Sequence, residues 1–125
     1  MLHIADIALH ALHLAVISIC IFGWIPARFR RAHLALMSGI GACWFLLGLR
    51  FGLGYCPLTD WHWRIKRQLG ETALPNSYIK YCWDQLSSSP ITLPTANTLT
   101  FAAFFVALFI SLYLNWAARD RKRVD

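Results

Sequence analysis

Residues 2–25, LHIADIALHALHLAVISICIFGWI, decide how the chain is read. The stretch is long and apolar enough to cross a bilayer, which takes about 20 such residues. Yet His3, Asp6, His10 and His13 interrupt it at a helical spacing. At 100° per residue the four fall within roughly 80° of one another, on one face that continues through Ile17, Cys20 and Trp24. The other faces carry Leu, Ile, Val, Ala and Phe, which suit lipid. Ionisable side chains at membrane depth are costly and turn toward protein or water. This helix therefore needs neighbours, and the rest of the chain is expected to supply them.

The stretch is expected to be an uncleaved span rather than a signal peptide. It lacks a basic leading segment, holds His and Asp within its apolar run, and ends in Gly23-Trp-Ile-Pro before Arg28, Arg30 and Arg31. Pro26 stops the helix. A second apolar run covers residues 33–54 and a third covers 95–116. Residues 55–94 between them are polar, punctuated by proline and rich in Trp and Tyr. The fold class expected is an all-α membrane protein of three transmembrane helices. It would form one domain over residues 1–125, with a loop containing short helices between the second and third spans. Charged residues make up 14% and apolar residues 58%, against about 25% and 45–50% in soluble domains. The net charge of +6 comes from short clusters beside apolar spans, the pattern of loops facing anionic lipid. Nucleic acid is not an expected partner.

Seven Lys/Arg flank the first loop and the C-terminus, at Arg28, Arg30, Arg31, Arg119, Arg121, Lys122 and Arg123. Four sit in the longer 55–94 segment, at Arg64, Lys66, Arg67 and Lys80. The bias puts the N-terminus and the 55–94 loop outside and the C-terminus in the cytoplasm. Within the loop, Thr59 or Asp60 is expected to cap a short helix carrying Trp61, Ile65 and Leu69 against the membrane surface, stopped by Gly70. A second short helix is expected over residues 77–86. On the second span Gly41, Gly48 and Gly52 share a face. Gly48-x-x-x-Gly52 matches the pattern that lets membrane helices approach closely. Arg50 lies near the outer end of that span. At ~1.5 Å per residue it and Asp6 both lie about 27–30 Å from the cytoplasmic turn, so an Asp6–Arg50 ion pair is expected, with Arg50 reaching the headgroups alone as the alternative.

Asp6, His13 ten residues before Gly23, Arg28, His33, Trp44, the box Cys56-Pro57-Leu58-Thr59 and then Asn76-Ser-Tyr-Ile-Lys-Tyr81 occur in one order. This set resembles a family of small bacterial inner-membrane proteins of unknown function that carry a Cys-Pro-Leu-Thr box. The resemblance covers nearly the whole chain. It implies the three-span architecture and a bacterial plasma membrane, and brings no activity. One departure is His62, where that family usually has a glutamate three residues after the box threonine.

Cys56 and Cys82 both fall in the outer loop, where disulfides persist. A bridge between them is expected, stabilising the loop by roughly 3–4 kcal/mol, with two separate thiols as the alternative. Cys20 and Cys43 read as small apolar residues. A metal held by His3, Asp6 and His10, with His62 near, has suitable ligand types at a loose spacing. His10 and His13 are candidate haem or other cofactor ligands. His33 lies roughly 15 Å of helix away in depth, so one chain alone does not present a bis-histidine pair. No Ser/His/Asp set, phosphate loop or carboxylate pair marks an enzyme, and the simplest expectation is no cofactor. Two functions follow. One is an accessory subunit docking its polar stripe and aromatic loop on other membrane subunits. The other is a carrier of a small redox, metal, haem or quinone site built on that stripe.

Overall fold

The computed structural model describes residues 1–124, and among these every regular element is helical. Three helices, α1 (Leu2–Phe22), α2 (Arg30–Phe51) and α5 (Leu93–Val124), are long and apolar enough to cross a membrane. Two short ones, α3 (Pro57–Gln68) and α4 (Tyr78–Leu86), fill the connection between α2 and α5. The fold class read from the sequence holds. The third long helix runs past both expected ends of its span.

Each boundary has a local cause. α1 meets no helix breaker until Gly23, whose N–H closes on Ile19 O at 2.7 Å. Pro26 then opens a single 3-10 turn, Ala27–Phe29. α2 stops where Gly52 takes φ +98°, a conformation without penalty only for glycine. Its N–H caps Gly48 O at 2.9 Å. The Gly48-x-x-x-Gly52 pair thus ends a helix rather than joining two. A Cβ on Gly48 would meet the backbone and side chain of Leu53, at 3.2 Å, and nothing lies near Gly52. Close helix packing falls to Gly41, which faces the Phe104 ring of α5. α3 begins with Pro57 at its first turn, where a missing N–H costs nothing. It starts ahead of the expected cap, and Thr59 is left free for another partner. Ser77 caps α4 by accepting from Lys80 N–H at 3.3 Å.

The three long helices pack through Met37, Phe104 and Ala107, with Cys20, Ile40, Trp44 and Leu108 around them. Trp44 stands edge-on to Phe101, with ring centres 5.3 Å apart. Ile4, Ile7, Leu46, Leu49, Phe105 and Phe109 point outward, the arrangement expected when hydrocarbon rather than water surrounds a bundle. Where α2 begins and α5 ends, His33 ties all three helices. Its Nδ1 meets Ser111 Oγ at 2.9 Å and its Nε2 meets the Cys20 carbonyl oxygen at 3.0 Å. A carbonyl only accepts, so Nε2 carries the proton and Nδ1 accepts from Ser111. Gly23 makes this possible: a Cβ there would sit 2.7 Å from the His33 ring. Asn115 adds a bond to Arg30 O at 3.0 Å.

α3 packs along α1 and α4 against α5. α3 has the two-sided character expected of it. Trp61 is exposed, while Thr59, His62, Trp63 and Lys66 face inward. α3 buries its polar side because α1 offers a polar side to meet it.

Candidate functional site

Asp6, His10 and His13 are spaced four and three residues apart on α1; Thr59, His62 and Lys66 are spaced three and four apart on α3. Each set forms one stripe on its helix. The stripes meet in antiparallel order. His13 Nε2 pairs with Thr59 Oγ1 at 3.1 Å, His62 Nε2 with Asp6 Oδ1 at 2.8 Å, and Lys66 Nζ with Asp6 Oδ1 at 3.2 Å. Lys66 also reaches Glu71 Oε1 at 3.0 Å, and Tyr81 donates to Glu71 Oε2 at 3.3 Å. α4 closes the cluster from its first turn. Tyr78 Oη pairs with His10 Nδ1 at 3.0 Å, and its ring stacks on His13 with centres 3.9 Å apart.

The expected Asp6–Arg50 pair is therefore replaced. Asp6 takes His62 and Lys66, and Arg50 is exposed, with the neighbouring Phe51 ring 5.8 Å away and no ion pair among the described residues. Depth alone matched Asp6 to Arg50; the loop returning along α1 supplied nearer partners. The stripe faces α3 and α4 rather than the other spans. His3, Asp6 and His10 do not converge as metal ligands. His3 is exposed, Asp6 is held by His62 and Lys66, and His10 by Tyr78. Among the described residues no group of three or more His, Cys, Asp or Glu is placed to hold an ion. His10 and His13 lie on the same helix and share the Tyr78 side chain. All four cysteines are free, so the expected Cys56–Cys82 bridge is not formed. Cys56 instead leads into α3, and Cys82 lies one turn after Tyr78 on α4.

Electrostatics keep this cluster largely neutral on its inner side. Burial pushes the His62 imidazole below its ordinary value, against the pull of Asp6. Its Nε2 donates to the Asp6 carboxylate, and its Nδ1 is a buried lone pair. Burial raises the Tyr78 phenol above its usual range, with Cys82 adding to the shift, so the O–H stays a donor. Burial likewise raises the Cys82 thiol. For Lys66 burial acts to discharge the ammonium, but the surrounding Tyr81, Glu71 and Asp6 outweigh it and the charge is held.

Two ring nitrogens stand out. His13 is 5% exposed and His62 fully buried, yet among the described residues Nδ1 of each, itself closed off from solvent, has no well-aligned hydrogen-bond partner. Such groups are rare in folded chains and call for a reason. Directly beneath His13 and Tyr78 lies a cavity of about 390 Å³, within the size range of small-molecule sites. Its walls are chiefly Ile17, Cys20, Trp44, Leu58, Ile79 and Phe104, and no Asp, Glu, Lys or Arg lines it. Ile21 and Leu99 line it and are also 40% and 51% exposed. The lining of the cavity thus reaches the outer face of the bundle, which would meet lipid. The sequence pointed to Asp6, His10 and His13 and set His62 near them, but missed Thr59, Lys66 and Tyr78 as partners of the stripe. The signal available was the second polar stripe, on an α3 segment whose apolar residues drew the attention.

No curated protein and no solved structure matches this chain. One family profile does, that of the Protein of Unknown function (DUF2784), over residues 3–115. That match takes in both stripes, the Cys-Pro-Leu-Thr segment and the His33–Ser111 tie, and the chain belongs to this uncharacterised family.

Proposed function

We propose that this chain is a membrane protein that takes a lipid-soluble small molecule from the bilayer into the cavity under His13 and Tyr78. The observation that carries the reading is the cavity itself: apolar walls, a lining that reaches the outer face of the helices at Ile21 and Leu99, and a polar roof at one end. Hydrocarbon solvates apolar groups as well as protein does, so an apolar cavity gives little selectivity by the hydrophobic effect alone. The polar roof supplies it. The accessory-subunit reading drew on polar and glycine faces without partners. Asp6, His10 and His13 have partners inside the chain, as do Gly41 and Gly48, so ligand binding is preferred to docking on other subunits.

The setting we propose is one membrane domain in a bacterial plasma membrane. The N-terminus and the α3–α4 cap lie outside and the C-terminus in the cytoplasm, from the uneven placement of Lys and Arg. Thr100 lines the cavity from α5, and its hydroxyl only folds back on Ala96 O at 2.8 Å. Thr100→Phe should fill the space without removing a tie between helices. Solvent extracts of the purified protein, read by mass spectrometry, should contain one apolar molecule per chain, and Thr100→Phe should lose it. Equal recovery from both proteins, or none from either, would count against the cavity as the binding site.

A further inference from the structure

We infer that α3 is an acid-released lid: neutral His62 lets it seat on α1, and charged His62 lifts it from the end of the cavity. The motion needs no ligand; the cavity reading supplies only what the lid covers.

The geometry sets α3 apart from the rest of the cap. α3 packs along α1, whereas α4 packs against α5. Among the described residues three polar ties join α3 to α1: Thr59 to His13, His62 to Asp6 and Lys66 to Asp6. Each runs through a titratable side chain, and two of the three use one carboxylate. Leu58 of α3 lines the cavity, as does Cys56 at the start of that helix. Movement of α3 away from α1 therefore opens that wall, while α4 keeps its seat on α5.

The charges around His62 decide when this happens. α1 presents Asp6, His10 and His13, α3 presents Lys66, and the turn after α3 presents Glu71. α4 presents Tyr78 and Tyr81, with Cys82 one turn after Tyr78. Among the described residues no side chain of α2 or α5 is hydrogen-bonded to any of these groups. With neutral imidazoles, Asp6 and Glu71 face the single cation Lys66. A proton on His62 alters this in three ways. Nε2 already donates to Asp6, so the new N–H is on Nδ1, which is closed off from solvent without an acceptor. The new charge must share Asp6 with Lys66. It also stands beside His10 and His13, with ring centres 5.4 and 5.9 Å away, so each further proton is repelled. Burial already holds the His62 imidazole below its ordinary value, against the pull of Asp6. Lifting α3 gives both ring nitrogens to water, so the lifted form takes up a proton that the seated form resists. A state that binds more protons gains as pH falls, so acid favours the lifted form.

The test is hydrogen–deuterium exchange read by mass spectrometry on the full chain in detergent micelles. It runs from about pH 7.5 down to about pH 5, across the ordinary histidine range, with the intrinsic pH dependence of amide exchange divided out. α3 has 12 residues, and a helix of that length is marginal in water on its own. Lifted α3 therefore exchanges its amides. Protection of α3 should be level above about pH 6.5 and fall below it by up to about tenfold per pH unit, the limit for one proton. α2 and α5 should keep theirs. His62→Gln keeps a donor for Asp6 but cannot titrate, and should flatten the fall. Asp6→Asn removes the shared carboxylate and should lower α3 protection about tenfold already at the neutral end. Level α3 protection across the whole range in the wild type would overturn the lid. So would an equal fall in His62→Gln, a parallel loss in α2 and α5, or wild-type protection of α3 in Asp6→Asn at the neutral end. The extraction experiment with Thr100→Phe bears on the cavity alone, so either reading can fail without the other.

Discussion

The bundle has a buried histidine cluster near each end, and the two are built to different standards. Where α2 begins and α5 ends, His33 uses both ring nitrogens, one to Ser111 and one to the Cys20 carbonyl, and Gly23 is shaped to admit the ring. Under the α3–α4 cap, His13 and His62 each satisfy one nitrogen and leave the other bare. Both clusters are equally sequestered, so burial does not distinguish them. Completeness does. A polar group that only joins helices gains by being fully paired, because every unpaired atom in a medium without water costs free energy. A cluster whose ring nitrogens stay unpaired in closed surroundings carries that cost instead.

The first way to test this contrast is to remove the complete cluster. His33→Leu keeps the volume but strands the Ser111 hydroxyl and removes the bond to the Cys20 carbonyl. With about 1–3 kcal/mol for each buried group left unpaired, the loss should be about 2–4 kcal/mol of stability in micelles. Adding Ser111→Ala should recover part of it, because the pair is then gone from both sides. A loss below about 1 kcal/mol would show that His33 is not the tie that its geometry suggests. Substituting His13 should be milder for folding, since only one of its nitrogens is engaged.

The two clusters also differed in how far the sequence revealed them. Three apolar runs and the placement of Pro26 and Gly70 were enough for the architecture, because span length and backbone stops are local properties. The stripe of Asp6, His10 and His13 was visible for the same reason: 3.6-residue periodicity needs no knowledge of neighbours. What the stripe faces is not local. Asp6 and Arg50 matched in depth, yet the connection between α2 and α5 folds back along α1 and brings Lys66 and His62 closer. A polar stripe on the connecting helix was readable as the complement of the one on α1. The exposed Trp61 drew that helix toward lipid instead. The His33–Ser111 contact was readable in part, as both residues lie where their spans approach the same end. The cavity was not readable at all, since it depends on how five helices leave space.

The cap cluster should also respond to pH with a definite sign. Burial holds the folded His62 pKa below its ordinary value of 6.5, despite Asp6. The unfolded chain then binds a proton that the folded chain resists, so this residue's contribution is fully present above about pH 6.5. It is lost as pH falls from there toward the depressed folded value. The slope from this one group is at most about 1.4 kcal/mol per pH unit. His62→Gln cannot titrate but keeps a donor for Asp6. Melting curves at a series of pH values should diverge below pH 6.5, with wild type falling faster than the variant. Parallel curves would mean that the acid response comes from other groups around the cluster.

The smallest effect tests whether the charges of the cap are self-contained. Lys66 and His62 both address Asp6, and Lys66 is shared with Glu71. Arg50 stands outside this set, exposed at the end of α2. An exposed cation beside one aromatic ring contributes little, and its long side chain can reach the interface unaided. Arg50→Gln should therefore change stability by less than about 0.5 kcal/mol, the usual range for surface changes. Asp6→Asn should cost more, because it leaves the buried Lys66 with Glu71 as its only carboxylate. The decisive quantity is the double variant. If Asp6 and Arg50 act independently, their effects add within about 0.3–0.5 kcal/mol, as distant sites do. A double variant much less damaged than that sum would mean that Arg50 reaches Asp6 in the membrane. The cap would then be a shared charge network between α2 and the outer loop, no longer a cluster closed by α1, α3 and α4.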